Sequence, residues 1–212
     1  MIKSRRHFFN MISTLGLSYY LGNIPVVNAS EQNLPYSLDN ILAPRYLGSL
    51  SAPIKMIEYA SFTCSHCADF HEQKFSKINE KYIKTGLLLF EFRDFPLDGL
   101  ALRASCIARL LEKEEYFNFI NILFKTQKRW TNSNNPIDEL KKLGTLAGLK
   151  SEQIHTSIND MSLLENIFNL RKIAEAEWSI KSTPTFIINN EIKIQGNQPL
   201  DKFEDAFDKF SS

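Results

Sequence analysis

Two cysteines separated by two residues are the side chains in this sequence that are best suited to chemistry. They belong to the motif Cys64-Ser65-His66-Cys67. A pair with this spacing can alternate between a dithiol and a disulfide, provided that one sulfur ionises easily and a partner can reach it. Three uses compete for the pair: redox exchange, metal binding together with His66 or His71, and a structural disulfide.

Metal binding needs more ligands than the sequence offers around the two cysteines. Zinc sites are tetrahedral, and the sequence contains no second C-x-x-C and no H-x-x-x-H to complete the ligand set. We therefore expect no metal and no other cofactor. His71 is interpreted as a partly buried packing residue rather than a ligand or a base. Redox exchange is the use that the motif favours.

A strand that passes directly into a helix is predicted to hold the cysteines. Residues 30–53 are polar and contain prolines, which predicts an extended lead-in with one short strand near residues 46–50. Residues 54–60 are then typical of a strand, and an apolar face with helical spacing follows. The members of this face are Cys67, His71, Phe75, Ile78 and Tyr82. Cys64 therefore lies where the strand ends and the helix begins.

The positions of the two sulfurs on this helix predict different roles. Cys64 faces the unpaired N–H groups and the positive dipole end of the helix, which favour a thiolate. Cys67 lies one turn later, points inward and should stay protonated until it is needed. We expect Cys64 to form a mixed disulfide with a partner and Cys67 to resolve it. His66 can add positive charge or a hydrogen bond beside the Cys64 sulfur.

The rest of the chain continues this alternation of strands and helices. Gly86 is expected to end the first helix, and residues 87–93 are typical of a largely buried strand. A helical pattern interrupted at residues 131–136 and at Gly144 and Gly148 extends from residue 97 to about 177, with room for three to five helices. The later elements are hairpin strands at 185–188 and 192–195 and an amphipathic helix at 199–210. This order predicts an α/β fold whose sheet is interrupted by a helical insertion.

The N-terminal residues have the composition of an export signal. Residues 1–29 join a basic start to a mostly apolar stretch, and the side chains up to Ala29 suit cleavage after that residue. The paired Arg5 and Arg6 are equally compatible with twin-arginine export and with chance pairing in a basic leader. Either route ends outside the cytoplasm, where disulfides persist. We therefore expect a periplasmic protein.

The charge balance excludes one class of partner. The chain has 25 basic and 24 acidic residues, and cleavage would remove three basic and no acidic residues, which changes the formal charge from +1 to −2. The chain also lacks a basic stripe interleaved with aromatic residues. We expect no nucleic-acid partner.

Three motifs in the expected order resemble the DsbA-like branch of the thioredoxin superfamily. The first covers residues 58–71 and includes the cysteine pair, the second covers 92–98 and the third covers 182–186. The resemblance extends over about residues 45–210. Three separate motifs make it more specific than a single C-x-x-C.

The resemblance implies a thioredoxin-like fold with an inserted helical domain. Residues 54–96 and 178–212 would form the thioredoxin-like domain, and residues 97–177 would form the insertion. In this branch proline is common at the position of Ser65, and glycine is frequent at that of Ser182. These two departures bear on the reduction potential and not on the reaction class.

The resemblance also implies roles for residues outside the cysteine motif. Pro184 would be a cis-proline beside the cysteine pair, and Thr183 would offer backbone groups to an extended substrate peptide. Glu58 would be a buried acid that relays a proton to or from Cys67. The alternatives are a trans turn proline at 184 and an outward-facing carboxylate at 58. Cys106, in an apolar helical stretch, is interpreted as a buried free thiol, with an intermolecular disulfide as the alternative.

The function implied by the resemblance is that of an exported thiol–disulfide oxidoreductase. It would donate the Cys64–Cys67 disulfide to reduced client proteins in the periplasm, act as a monomer, and be reoxidised by a membrane partner of the DsbB type. A disulfide reductase or isomerase, and a redox-inactive peptide-binding or chaperone module, are the alternatives. The lead-in is too short for the separate dimerisation domain of an isomerase.

Overall fold

The structure, a computed structural model, describes residues 37–211, and in this part of the chain the strands form a five-stranded sheet. The strand order is β1-β3-β2-β4-β5. β2 and β3 are parallel, and the other neighbouring pairs are antiparallel. The strands are β1 (Tyr46–Leu47), β2 (Ile54–Ala60), β3 (Leu88–Asp94), β4 (Thr185–Ile188) and β5 (Ile192–Gln195).

Helices precede, separate and follow the strands. The early helices are α1 (Leu38–Leu42), α2 (Ser65–Phe70) and α3 (Ser76–Ile78). Those between β3 and β4 are α4 (Gly99–Arg109), α5 (Lys113–Lys125), α6 (Gln127–Thr131), α7 (Pro136–Leu146), α8 (Ser151–Asn159) and α9 (Met161–Trp178), and α10 (Leu200–Asp208) follows β5. These elements confirm the predicted α/β fold with helices inserted between two strands of the sheet.

The parallel pairing of β2 with β3 determines where the cysteine motif lies. The register aligns Ile54 with Leu88 and Ala60 with Asp94, so the two strands end together. Just beyond them, the N–H of Phe95 donates to the carbonyl of Ala60 at 2.8 Å. The segments that follow both strands therefore meet at one edge of the sheet, which is where α/β folds commonly place their sites.

The first long helix spans residues 65–83 and contains two wider turns. The α-helical parts α2 and α3 alternate with π-helical turns at His71–Phe75 and Asn79–Ile83. The apolar face predicted from the sequence is buried throughout. Gly86 follows with φ +79°, and the N–H of Leu87 donates to the carbonyl of Tyr82 at 2.9 Å, which confirms the predicted end of the helix.

Aromatic packing joins the sheet to the helices on which the site depends. The ring of Phe186 in β4 lies 4.5 Å from that of Phe70 in α2 and 4.8 Å from that of Phe203 in α10, measured between centroids. Phe62, next to the cysteine motif, lies 5.3 Å from Phe124 of α5. Each of these rings is fully buried, and burial of a large apolar side chain stabilises a fold by about 1.5–3 kcal/mol.

A buried ion pair connects α4 to the end of β3. Arg109 pairs with Asp94, and their side chains are 4% and 0% exposed. Arg109 also donates to the carbonyl of Ile41 at the C-terminal end of α1, 3.2 Å away. One buried guanidinium therefore links the lead-in, the sheet and the helical insertion.

The lead-in is only partly extended. The strand expected near residues 46–50 is present at Tyr46–Leu47, but the prediction of extended backbone is wrong at Leu38–Leu42, which is α1. The Ser37 side chain caps this helix by accepting a hydrogen bond from the Asn40 N–H, and Ile41 anchors it in the core at 1% exposure. The expected export signal, residues 1–29, and the first residues of the lead-in lie outside the described residues.

The insertion contains six helices where three to five were predicted. Thr126 separates α5 from α6, and its hydroxyl donates to the carbonyl of Ile122 at 2.7 Å. Asp160 separates α8 from α9, and its carboxylate accepts from the N–H of Leu163 at 2.8 Å. Gly144 does not interrupt the pattern but lies inside α7. None of the described helices is long and apolar enough to span a membrane.

Candidate active site

Cys64 is the N-cap residue of α2 and lies at the edge where β2 and β3 end. Its backbone is extended, with φ −81° and ψ 118°, and its carbonyl accepts the N–H of Ala68 at 3.2 Å. The side chain is partly exposed, so a partner can reach the sulfur. Cys64 and Cys67 are both free thiols, so the structure is that of the reduced pair.

Several hydrogen bonds converge on the Cys64 sulfur and lower the pKa of this thiol from 9.0 to about 5. The largest contribution comes from the Cys67 thiol, followed by the side chain of Thr183 and by the backbone N–H groups of Cys67 and His66, while partial burial acts in the opposite direction. These donors stabilise the thiolate at the start of a helix. Cys64 is therefore a sulfur that is largely ionised at neutral pH.

The pKa of the Cys67 thiol is shifted in the opposite direction, upward. Cys67 is fully buried, and burial, the hydrogen bond to Cys64 and the charge of Glu58 raise the pKa of its thiol well above the ordinary value. The pair thus combines an accessible thiolate with a buried thiol. In thiol–disulfide exchange the first is both a nucleophile and a good leaving group, and the second can close the disulfide.

His66 contributes through its backbone more than through its imidazole. Its side chain is exposed, and its N–H is one of the donors that lower the pKa of Cys64. In residues 37–211 its ring makes no hydrogen bond. The positive charge or side-chain hydrogen bond expected from His66 therefore stays a prediction.

The segment before β4 packs against Cys64. The Thr183–Pro184 peptide bond is cis, so the alternative of a trans turn proline is wrong. The carbonyl of Thr183 accepts from the Cys64 thiol at 3.2 Å, although 119 residues separate the two in sequence. Thr183 is 6% exposed and lies two residues before the start of β4 at Thr185.

Glu58 lies in the interior, so the alternative of an outward-facing carboxylate is wrong. It is fully buried on β2, and its Oε2 is 2.9 Å from Nε2 of His71. The interpretation of His71 as a packing residue holds in part, because its ring stacks on Phe124 at 4.3 Å between centroids. The imidazole is also the hydrogen-bonding partner of the buried acid, which sequence reasoning missed.

Two further polar residues, both missed from the sequence, contact the loop before Cys64. Nε2 of Gln127 donates to the carbonyls of Phe62 and Cys64 at 2.8 and 2.9 Å. Asp98, the N-cap of α4, accepts the hydroxyl of Thr63 at 2.7 Å. An aspartate directly before a helical stretch was a usable signal for the second contact, whereas the sequence holds none for the first.

The remaining cysteine is separate from this cluster. Cys106 lies in α4, is fully buried and is a free thiol, which confirms the predicted state. Burial raises the pKa of its thiol. Within the described residues, no group of three or more His, Cys, Asp or Glu side chains is placed to hold a metal ion.

Comparison with known proteins points to a single family. The thioredoxin family model matches residues 42–209. The crystal structure of alpha-DsbA1 from Wolbachia pipientis is 36% identical, with a TM-score of 0.74, and the match covers 80% of this chain and 92% of that one. BdbD from Bacillus subtilis shares the fold, with a TM-score of 0.69 at 21% identity, over 79% of this chain and 92% of that one.

A curated relative gives a similar result over part of its length. The "Putative protein-disulfide oxidoreductase" of Rickettsia felis is 31% identical over 166 residues. The match covers 77% of this chain but only 58% of that protein.

The first prediction concerns the ionisation of Cys64. Because its pKa is about 5 in the folded reduced protein and 9.0 without the fold, ionisation stabilises the reduced form fully above pH 9.0, less as the pH falls, and not at all below about pH 5. In the reduced protein, the ultraviolet absorbance of the thiolate should therefore titrate near pH 5. Cys64→Ser should show no such transition. Cys106→Ser is the matched control and should leave the titration unchanged. A midpoint near that of free cysteine would contradict this assignment.

Proposed function

The chain belongs to the DsbA-like branch of the thioredoxin superfamily, and from this premise we propose that it is a thiol–disulfide oxidoreductase that oxidises client proteins. The observation that carries the proposal is the pairing of an accessible thiolate with a buried thiol: the pKa of Cys64 is lowered to about 5 and that of Cys67 is raised. The protein would act as a monomer.

Two exchange steps transfer the disulfide to a client. A client thiolate attacks the Cys64 sulfur of the oxidised protein, the Cys64–Cys67 bond breaks, and Cys67 leaves and takes up a proton. A second client thiolate then attacks the client sulfur of the mixed disulfide, and Cys64 leaves as a thiolate. The client loses two electrons and two thiol protons. The protein gains both electrons and one proton, as the Cys64 thiolate and the Cys67 thiol, and the second proton goes to the solvent.

The low pKa of Cys64 supports the oxidising direction. A thiolate that is stable in the reduced protein is a good leaving group, and it makes the disulfide easier to reduce and therefore more oxidising. Repeated turnover then requires an electron acceptor, for which we propose a membrane partner of the DsbB type. A disulfide reductase would use the same residues, and its potential would be near the roughly −270 mV of thioredoxin.

The segment before β4 offers a binding site for an extended client. The Thr183 carbonyl lies beside the Cys64 sulfur, and β4 begins directly after Pro184. A client segment could pair with this backbone by strand addition, which depends little on the client's side chains. Such pairing fits a broad range of clients.

The second prediction separates the enzyme from a redox-inactive binding protein. Cys64→Ser should oxidise a reduced model client no faster than the uncatalysed reaction, because no mixed disulfide can form. Cys67→Ser should instead accumulate a mixed disulfide when it is given the oxidised client, because its Cys64 thiolate attacks the client disulfide, one client sulfur leaves as a thiolate, and no Cys67 thiol can resolve the product. Mass spectrometry of the non-reduced protein would detect this species. Full client oxidation by Cys64→Ser would refute the enzymatic function. A potential as low as that of thioredoxin would refute only the oxidising direction.

The third prediction concerns Glu58, which we propose exchanges a proton with Cys67. Glu58→Gln should slow the closing of the disulfide by Cys67 at neutral pH by about 10²-fold, the lower end for lost acid–base catalysis. Stopped-flow kinetics with a small disulfide over a range of pH would measure this step.

The control for Glu58 is Glu91→Gln. Glu91 is also a buried carboxylate of the sheet, but it pairs with Arg93 at 2.6 Å on β3. This variant should retain the wild-type pH profile. If Glu58→Gln retained that profile too, the proposed proton transfer would be wrong.

The fourth prediction concerns localisation, since we propose that the protein is exported to the periplasm with loss of residues 1–29. The sequence of this segment supports the proposal. N-terminal sequencing of protein from the periplasmic fraction should begin at Ser30. Replacement of Arg5 and Arg6 by Lys should block export by the twin-arginine route and leave the general route intact. Protein that keeps residues 1–29 and stays in the cytoplasm would refute export.

A further inference from the structure

The side chain of Gln127 reaches from the helical insertion to the loop that carries Cys64. Its amide nitrogen donates to the Phe62 carbonyl at 2.8 Å and to the Cys64 carbonyl at 2.9 Å. Gln127 is only 5% exposed. Both hydrogens of the amide are therefore used on one short loop, and a buried amide with no other use for its donors is held in one orientation.

The break between α5 and α6 positions this residue. Thr126 ends α5 with φ −106° and ψ 10°, and Gln127 begins α6. Below it, Trp130 is fully buried and donates its indole N–H to the carbonyl of Leu123 at 2.9 Å, which anchors the same turn. The position of the Gln127 amide is thus set by packing within the insertion.

The two carbonyls that Gln127 binds belong to the loop whose sulfur must ionise. Carbonyl oxygens carry partial negative charge, and in a partly buried site this charge opposes a nearby thiolate. A hydrogen bond to each oxygen offsets that effect. The two hydrogen bonds from Gln127 also hold Cys64 in the extended conformation from which its sulfur meets the N–H groups of His66 and Cys67.

We propose that Gln127 is a positioning residue for the exchange reaction: by binding the carbonyls of Phe62 and Cys64, it keeps the Cys64 sulfur where its thiolate is stabilised. The helical insertion would then take part in the redox chemistry through one amide. This inference rests on the proposed exchange activity.

The fifth prediction tests this role with Gln127→Met, which has a similar length and flexibility but no donor. The pKa of Cys64 should rise by about one unit, because the thiolate loses part of its support. The equilibrium constant for oxidation of a reference dithiol should fall about tenfold, which corresponds to about 30 mV for a two-electron couple. Thiolate titration and equilibration with glutathione buffers would measure the two effects.

The control is Thr63→Val, which removes another contact between the insertion and the same loop. The Thr63 hydroxyl donates to Asp98 at 2.7 Å and does not bind the Cys64 carbonyl. This variant should change the equilibrium constant by less than about threefold. Equal shifts in both variants would mean that the loop is simply loosened, which would overturn the proposal. Unchanged values in Gln127→Met would also overturn it, even if the variant were less stable.

A measurement on the wild-type chain covers the case in which Gln127→Met does not fold. In the reduced protein, the side-chain NH₂ resonance of Gln127 should titrate with the midpoint of Cys64, and the titration should be absent from Cys64→Ser. A chemical shift of the Gln127 NH₂ group that does not change as Cys64 ionises would refute the inference. Failure of the wild-type protein to exchange disulfides would instead refute the proposed function.

Discussion

The stabilisation of one negative charge at the start of a helix is the constraint on which the site depends. The Cys64 sulfur needs an accessible position and several donors, and no single element of the fold supplies both. The parallel register of β2 and β3 brings their following segments to one edge, α2 contributes its first N–H groups, and the segment before β4 closes the other side. The fold can be understood as the means by which these three parts meet.

The helical insertion is part of this arrangement rather than an independent lid. Its polar contacts with the segments after β2 and β3 include those of Gln127, Asp98 and Arg171. Arg171 of α9 donates to the carbonyl of Pro96 at 2.6 Å and lies over the ring of Phe95 at 4.9 Å. The loops that carry the chemistry are therefore held from the sheet on one side and from the insertion on the other.

Much of the site could be predicted because its signals are local. The spacing of Cys64 and Cys67, the strand before them and the helical face after them all lie within about thirty residues. The cis geometry before Pro184 was predicted from the family resemblance, since nothing in the neighbouring residues requires it.

The contacts of His71 and Gln127 could not be predicted in the same way. The partners of Gln127 are more than sixty residues away in sequence, and the choice of Glu58 as the partner of His71 follows from tertiary packing. The six helices of the insertion were undercounted for a related reason, because side chains at Thr126 and Asp160 end helices that periodicity alone would continue.

The burial of Cys106 has a consequence for the fidelity of the reaction. A protein with three cysteines could in principle form three different internal disulfides, two of which would be dead ends. Cys106 is fully inaccessible, and its thiol is discouraged from ionising by its apolar surroundings. Disulfide exchange within the described chain is therefore confined to Cys64 and Cys67, and the burial of Cys106 protects the pair from rearranging with the third sulfur.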